Sequence, residues 1–288
     1  MPEKPYVGVT GKPTQDVIWT CLEAFSAAGI NMGSNHIPMI GFVFSDKTLY
    51  NIPSSDGKVR YQQKEKLRSG LEIIGGQALS MIHYYTDEET QRRYDLPDLP
   101  KQIKEIFEGM KLYEHGICRA LQLNRAWPKV EDLNRVISDF PELKIVLQLP
   151  KRTLETSPKK KTSPRKIAKK LKEYEGLIKY ALIDLSGDKG IDFDLNHSVK
   201  VYQECRSLCP ETILGFAGCL SEENLEERVN ALKTEIGNPD WCIDVESGIK
   251  ATFELENGKT KKKVKHYADD INPTRVWNYI QKAGKLFL

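Results

Sequence analysis

Apolar residues along the chain fall into short runs of strand length, and most runs are followed by a stretch with helical spacing. Tyr6-Val-Gly-Val-Thr10, Met39 to Phe44, Ala78 to Tyr85, Ile117 to Asn124 and Leu143 to Leu149 read as five strands. Tyr180-Ala-Leu-Ile-Asp184, Thr212-Ile-Leu-Gly-Phe216 and Trp241-Cys-Ile-Asp-Val245 add three more. Between them, Thr14 to Ala28 carries Val17, Ile18, Cys21, Leu22 and Phe25 on one side, and Gly29 is placed to end that helix. Further helices are predicted near 60–70, 97–114, 130–140, 163–179, 195–208, 222–236 and 274–287. Strands that alternate with helices pair in parallel, because a parallel partner needs a crossover. Eight such units favour a single (β/α)8 barrel domain over residues 1–288, with an open doubly wound sheet as the structural alternative. The first strand is not followed by a dinucleotide-binding glycine fingerprint, since Gly8, Gly11 and Gly29 are too far apart.

Two connections depart from this rhythm. Residues 151–163 and 250–273, after the fifth and eighth strands, are long and polar and are expected to be extended, solvated loops. Each holds a lysine triplet, Lys159-Lys160-Lys161 and Lys261-Lys262-Lys263. In a barrel both leave the strands' C-terminal ends, where ligands bind, and both can draw an anionic substrate toward the mouth.

The last three strands end in loops of small or acidic residues. Ala217-Gly218-Cys219-Leu220 follows the seventh and Glu246-Ser247-Gly248 the eighth. Small residues let backbone N–H groups approach a ligand, and a nearby helix start favours an anion. Two such loops on consecutive strands are what a barrel phosphate site needs. Ala217, Gly218, Cys219, Ser247 and Gly248 are therefore candidate phosphate-binding positions. Lys12, after the first strand, is a mouth lysine able to contact an anion.

Composition narrows the class. The 288 residues are 40% hydrophobic and 29% charged, ample for a large core. No apolar run spans a bilayer, and Met1-Pro-Glu-Lys-Pro5 carries no apolar leader, so a cytoplasmic protein without membrane contact is expected. The six cysteines are scattered and read as buried thiols. His36, His83, His115, His197 and His266 show no paired spacing with each other or with cysteine, so neither a metal nor a cofactor is implied. The formal net charge of +3 is small for a nucleic-acid binder, and no aromatics interleave the lysine triplets. A homodimer stays open.

The order of these motifs resembles phosphoribosylanthranilate isomerase. Tyr6-Val7-Gly8-Val9-Thr10 is similar to that family's K-I-C-G-I-T strand, Gly41-Phe42-Val43-Phe44 to its G-F-V/I-F, and Leu121-Gln122-Leu123-Asn124 to its V-Q-L-H. Leu182-Ile183-Asp184-Leu185-Ser186 with Gly190-Ile191-Asp192-Phe193-Asp194 is similar to L-L-D-S…G-K-T-F-D-W. The Ala217 and Asp244 loops resemble A/S-G-G-L and D-V-S-S-G. The resemblance implies a phosphate-binding barrel and an Amadori rearrangement, with Asp184 as the acid that protonates a furanose oxygen. It also implies departures. The family's base, a cysteine, aligns with Val7, its carboxylate-binding arginine with Tyr50, and one loop glycine with Cys219. A bidentate guanidinium is not replaced by a phenol. Glu246 stands where the family has serine and can pair with Asp184 in acid–base work, and His83 and Cys118 are further candidates for a base. Expected, then, is a relative that binds a small phosphorylated anion without the tryptophan-pathway reaction, or a catalytically silent barrel that senses a ligand or holds a protein partner.

Overall fold

The computed structural model describes residues 3–53, 61–124, 127–150, 155–157, 160–184, 194–218, 220–237, 239–256 and 263–288. Residues 54–60, the segment 185–193 and Cys219 lie outside the described residues, as do the side chains of both lysine triplets. The first half of the chain runs β1 (Tyr6–Gly11), α1 (Gln15–Ala27), β2 (Ile37–Ser45), α2 (Asp46–Leu49), α3 (Lys64–Ile74), β3 (Leu79–Tyr85), α4 (Glu88–Arg93), α5 (Leu99–Phe107), β4 (Ala120–Asn124), α6 (Val130–Asp139) and β5 (Lys144–Pro150). It continues with β6 (Glu155–Ser157), β7 (Lys160–Lys161), α7 (Pro164–Lys172), β8 (Tyr180–Asp184), α8 (Leu195–Leu208), β9 (Ile213–Ala217), α9 (Leu225–Ile236), β10 (Cys242–Val245), β11 (Lys250–Glu256), β12 (Lys263–Ile271) and α10 (Pro273–Phe287).

Eight of the strands close into a parallel barrel in the order β1-β10-β9-β8-β5-β4-β3-β2. The expected (β/α)8 architecture is therefore present. Closure places β1 between β10 and β2, with Gly8 opposite Asp244 on one side and Met39 on the other. Alternation then sorts each strand into two cores. Val7 and Val9 of β1, Ile82 and Tyr84 of β3, and Ile243 and Val245 of β10 face outward, into the layer shared with the helices. Tyr6, Met39, Met81, Val146, Leu182 and Cys242 face inward and fill the lower barrel. The floor is held by aromatic contact, with the Tyr6 and Tyr180 rings 5.2 Å apart edge to face. Tyr180 also donates to the Lys4 carbonyl at 2.9 Å, which ties the N-terminal segment across the barrel bottom.

The helices cover the outer layer with their apolar stripes. α1 buries Val17, Ile18, Cys21, Leu22 and Phe25, starts on the Thr14 hydroxyl cap and is followed by Gly29 at φ +75°. Trp241, just before β10, is fully buried between Phe216 and Phe287, at ring separations of 5.3 and 5.4 Å. The described cysteines 21, 118, 205, 209 and 242 are buried free thiols. Among the described residues no helix is long and apolar enough to cross a membrane.

The two long polar connections differ from the expected loops. Both form antiparallel hairpins, β6 with β7 and β11 with β12. The reason is visible in Ala251-Thr252-Phe253-Glu254-Leu255-Glu256, where apolar and polar residues alternate with period two beneath the high charge. The short helix α4 is also additional to the predicted elements. It starts on Asp87, whose carboxylate accepts from the Thr90 amide at 2.7 Å.

The loops after β9 and β10 are joined by a parallel bridge between Ser221 and Gly248. A Cβ at Gly248 would lie 1.8 Å from the Leu220 carbonyl oxygen, so the close approach admits no side chain. Gly248→Ala is expected to force the two loops apart and to cost at least about 2 kcal/mol in chemical denaturation. Unchanged stability would show that the loops are not held together at this point.

Candidate active site at the barrel mouth

Above the apolar lower barrel, the inward positions nearest the strands' C-terminal ends turn polar. β1 contributes Thr10, β3 His83, β4 Gln122, β5 Gln148, β8 Asp184 and β10 Asp244, with Glu246 immediately above. All are strand or strand-end residues, so the barrel fixes their spacing. Gly8 and Gly41 make room for the cluster. A Cβ on Gly8 would meet Asp244 Oδ1 at 2.9 Å, and one on Gly41 would meet Thr10 Oγ1 at 2.6 Å.

Two hydrogen-bonded arcs span this layer. In the first, Gln148 Nε2 donates to Asp184 Oδ2 at 2.6 Å, and Gln122 Nε2 donates to Gln148 Oε1 at 3.4 Å. Gln122 Nε2 also lies 3.0 Å from His83 Nε2. An amide nitrogen can only donate, so His83 Nε2 accepts and the ring proton sits on Nδ1. Nδ1 has no hydrogen-bond partner among the described residues, and its nearest carboxylate oxygen is Glu246 Oε2 at 3.8 Å. Burial lowers the His83 pKa, against the opposing pull of Glu246, and holds the ring neutral. In the second arc, Glu246 accepts from the Tyr85 hydroxyl at 3.2 Å and from Lys250 Nζ at 3.2 Å. The Tyr85 ring stacks on His83 at 4.9 Å and meets Tyr61 at 5.2 Å.

Asp244 lies beneath Glu246 and is 4% exposed. Thr10 Oγ1 donates to it, at 3.0 Å from one carboxylate oxygen and 3.2 Å from the other. Burial, with the charges of Glu246 and Asp184 added, pushes its carboxyl up to about 8 in spite of that hydrogen bond. Three carboxyls thus face one enclosed space, and at neutrality Asp244 keeps its proton.

The expected site residues are distributed as follows. Asp184 and Glu246 both reach the mouth. Ala217 closes β9, buried in the barrel interior. Gly218 follows at φ +82°, a left-handed conformation natural to glycine. Ser247 is exposed and Gly248 buried beside Leu220. The Gly248 carbonyl accepts from Arg275 Nε at 3.0 Å, and the same guanidinium holds Glu223 at 2.7 Å. Lys12 is half-buried on the wall of a separate cavity between α1 and α3. Val7 faces the helices, so that position presents no group to the mouth. Tyr50 packs against the outer core, and burial, with the nearby Glu105, raises its phenol pKa. Cys118 precedes β4 and is buried, with its thiol pushed up to about 12 by burial.

Sequence reasoning did not single out Thr10, Gln122, Gln148 or Asp244 as site residues. The available signal is a polar residue at an inward position within an otherwise apolar run, as in Leu121-Gln122-Leu123 and Leu147-Gln148-Leu149. Among the described residues no set of three or more His, Cys, Asp or Glu is placed to hold a metal ion.

Comparison with known proteins supports the architecture. No protein-family model and no curated protein matches the chain. Among solved structures it is similar to phosphoribosyl anthranilate isomerase from Thermus thermophilus, with TM-score 0.57 and 14% identity over 98% of this chain and 99% of that one. A phosphoribosyl anthranilate isomerase in complex with reduced 1-(o-carboxyphenylamino)-1-deoxyribulose 5-phosphate gives the same score and identity, over 98% and 100% of the two chains. The catalytic domain of a chitinase from Pyrococcus furiosus follows at TM-score 0.55 and 12% identity, covering 100% of this chain and 97% of its own. The fold is shared with these barrel proteins. At such identities the similarity extends no further than the fold.

The displaced titration of Asp244 has a consequence for stability. In the unfolded chain the carboxyl ionises at the ordinary 3.8, and in the folded barrel at about 8. Between those values the folded state binds the extra proton, so Asp244's contribution falls as pH rises through the window and levels off above it. Asp244→Asn removes this slope. In denaturation series run between pH 5 and 8, the variant is expected to gain on the unsubstituted protein by up to about 1.4 kcal/mol per pH unit. Parallel curves would contradict a protonated Asp244.

Proposed function

We propose that the barrel is a proton-transfer enzyme acting on a small phosphorylated, sugar-like molecule at this mouth. The reading rests on one observation above all: two carboxylates at the rim, Asp184 and Glu246, share an enclosed polar layer with a neutral histidine and a protonated aspartic acid. Proton transfer needs groups poised on both sides of neutrality within one low-dielectric space. Asp184 is the general acid. Gln148 Nε2 donates to its Oδ2 and so orients the carboxyl at the strand end. Glu246, oriented by Tyr85 and Lys250, is the base that removes a proton from carbon. His83 stands behind it with Nδ1–H directed at the carboxylate and favours the ionised form. Protonated Asp244 offers a further donor from below, and the substrate's hydroxyl groups meet the surrounding amides.

The phosphate is held by backbone N–H groups of Gly218, Ser247 and Gly248, beside Ala217, where the bridged β9 and β10 loops bring main chain to the mouth. The resemblance to phosphoribosylanthranilate isomerase agrees with this placement. The reaction itself differs from that family's, because Val7 and Tyr50 supply neither a thiol base nor a cation at the mouth. Ordinary turnover of phosphoribosylanthranilate would overturn this part of the proposal.

A thermal-shift screen against phosphorylated pentoses and hexoses tests the binding. A ligand at about 100 times its dissociation constant adds about 2.7 kcal/mol of stability and raises the melting temperature accordingly. For the active compound, Asp184→Asn is expected to lower kcat by at least about 100-fold while affinity stays within a few-fold. Binding without turnover in the unsubstituted protein would favour a ligand sensor built on the same scaffold.

A further inference from the structure

A second site lies outside the barrel interior. Between the N-terminal ends of α1 and α3 is a cavity of about 360 Å³, lined among others by Lys12, Thr14, Gln15, Tyr61, Gln62 and Lys66. This volume is in the range of small-ligand pockets. Its floor is anchored to the barrel, since the Gln62 amide donates to the Val43 carbonyl of β2 at 2.9 Å. Gln62 is only 5% exposed, yet its side-chain amide makes no hydrogen bond with any described residue. Gln62 lines the cavity, where its side-chain amide can donate to an anionic oxygen. The walls are rich in donors. Thr14 caps α1 by accepting from Val17, and the Gln15 and Asp16 amides of the first turn have no acceptor within the helix. At α3 the N-cap residue Gln63 makes no side-chain cap bond, so that helix also presents an uncapped first turn. Lys12 and Lys66 add two ammonium groups, while the acidic residues of these turns, Asp16 and Glu65, are exposed and not among the lining residues.

We propose that this cavity binds the phosphate group of a small phosphate monoester. Donors from two helix ends, one amide and two lysines line one cavity, and a phosphate's three terminal oxygens can use more of them than the two oxygens of a carboxylate. The site is independent of the reaction proposed at the mouth, but it adjoins it. Tyr61 forms one wall of the cavity and meets Tyr85, which donates to Glu246. An occupant therefore touches a ring that packs on Tyr85, the donor to the mouth carboxylate.

Amide NMR of the full chain titrated with glycerol 2-phosphate tests this. Expected are saturable shifts of the Gln62 side-chain NH2 and of the Gln15 and Ser69 backbone amides. Lys66→Glu, at an exposed position, is expected to weaken this binding by at least about tenfold. Gln62→Leu, which removes the unpartnered amide, is expected to weaken it similarly without lowering the melting temperature. Ser247→Glu, which places a negative charge on the β10 loop, is expected to leave the cavity signals intact, so failure of the mouth phosphate site is read separately at Gly218 and Gly248. Absence of shifts at Gln62, shifts that persist unchanged in Lys66→Glu, or equal shifts with acetate would overturn the proposal.

Discussion

A closed parallel barrel sends every second side chain of eight strands into one enclosed space, and that space has to be filled without leaving polar groups stranded. This constraint organises the protein. In the lower barrel it is met by Tyr6, Met39, Met81, Val146, Leu182 and Cys242, which need no partners. In the upper layer it is met by polar residues that satisfy one another across strands: Thr10 with Asp244, Gln122 with Gln148, and Gln148 with Asp184. Such networks are strong in a low dielectric when complete and costly when incomplete. His83 Nδ1 and Gln122 Oε1, buried in this same layer, have no hydrogen-bond partner among the described residues.

Burial and charge crowding act together on that layer. Asp244 is nearly inaccessible, with Glu246 and Asp184 near enough for their charges to be felt, and the result is a carboxyl that stays protonated at neutrality. His83 is displaced in the complementary sense, toward the neutral imidazole. Acidic and basic groups are therefore kept uncharged side by side, where in water both would ionise at neutral or mildly acid pH. A barrel mouth achieves this because strand ends hold side chains at fixed separations while the walls exclude solvent.

Outside the barrel, the same geometry explains why α1 and α3 converge. Each begins on the mouth side of its preceding strand, so the positive ends of neighbouring helix dipoles lie together around Gln62. Lys12 lines this cavity as well.

Short apolar runs of strand length, each followed by helical spacing, were by themselves sufficient for eight strand–helix units, because length and periodicity follow from backbone geometry. It also located Asp184 and Glu246 at strand ends and made His83 an inward candidate. The hairpins β6–β7 and β11–β12 were masked by their charge, although Phe253 and Leu255 alternate with polar neighbours. Tertiary structure alone decided which polar residues meet. Thr10 and Asp244 are 234 residues apart in the chain and touch only because β1 and β10 close the ring. The protonation of Asp244 depends on that closure as well, since solvent exclusion and the nearness of other carboxylates are properties of the enclosed space and not of any segment of the chain.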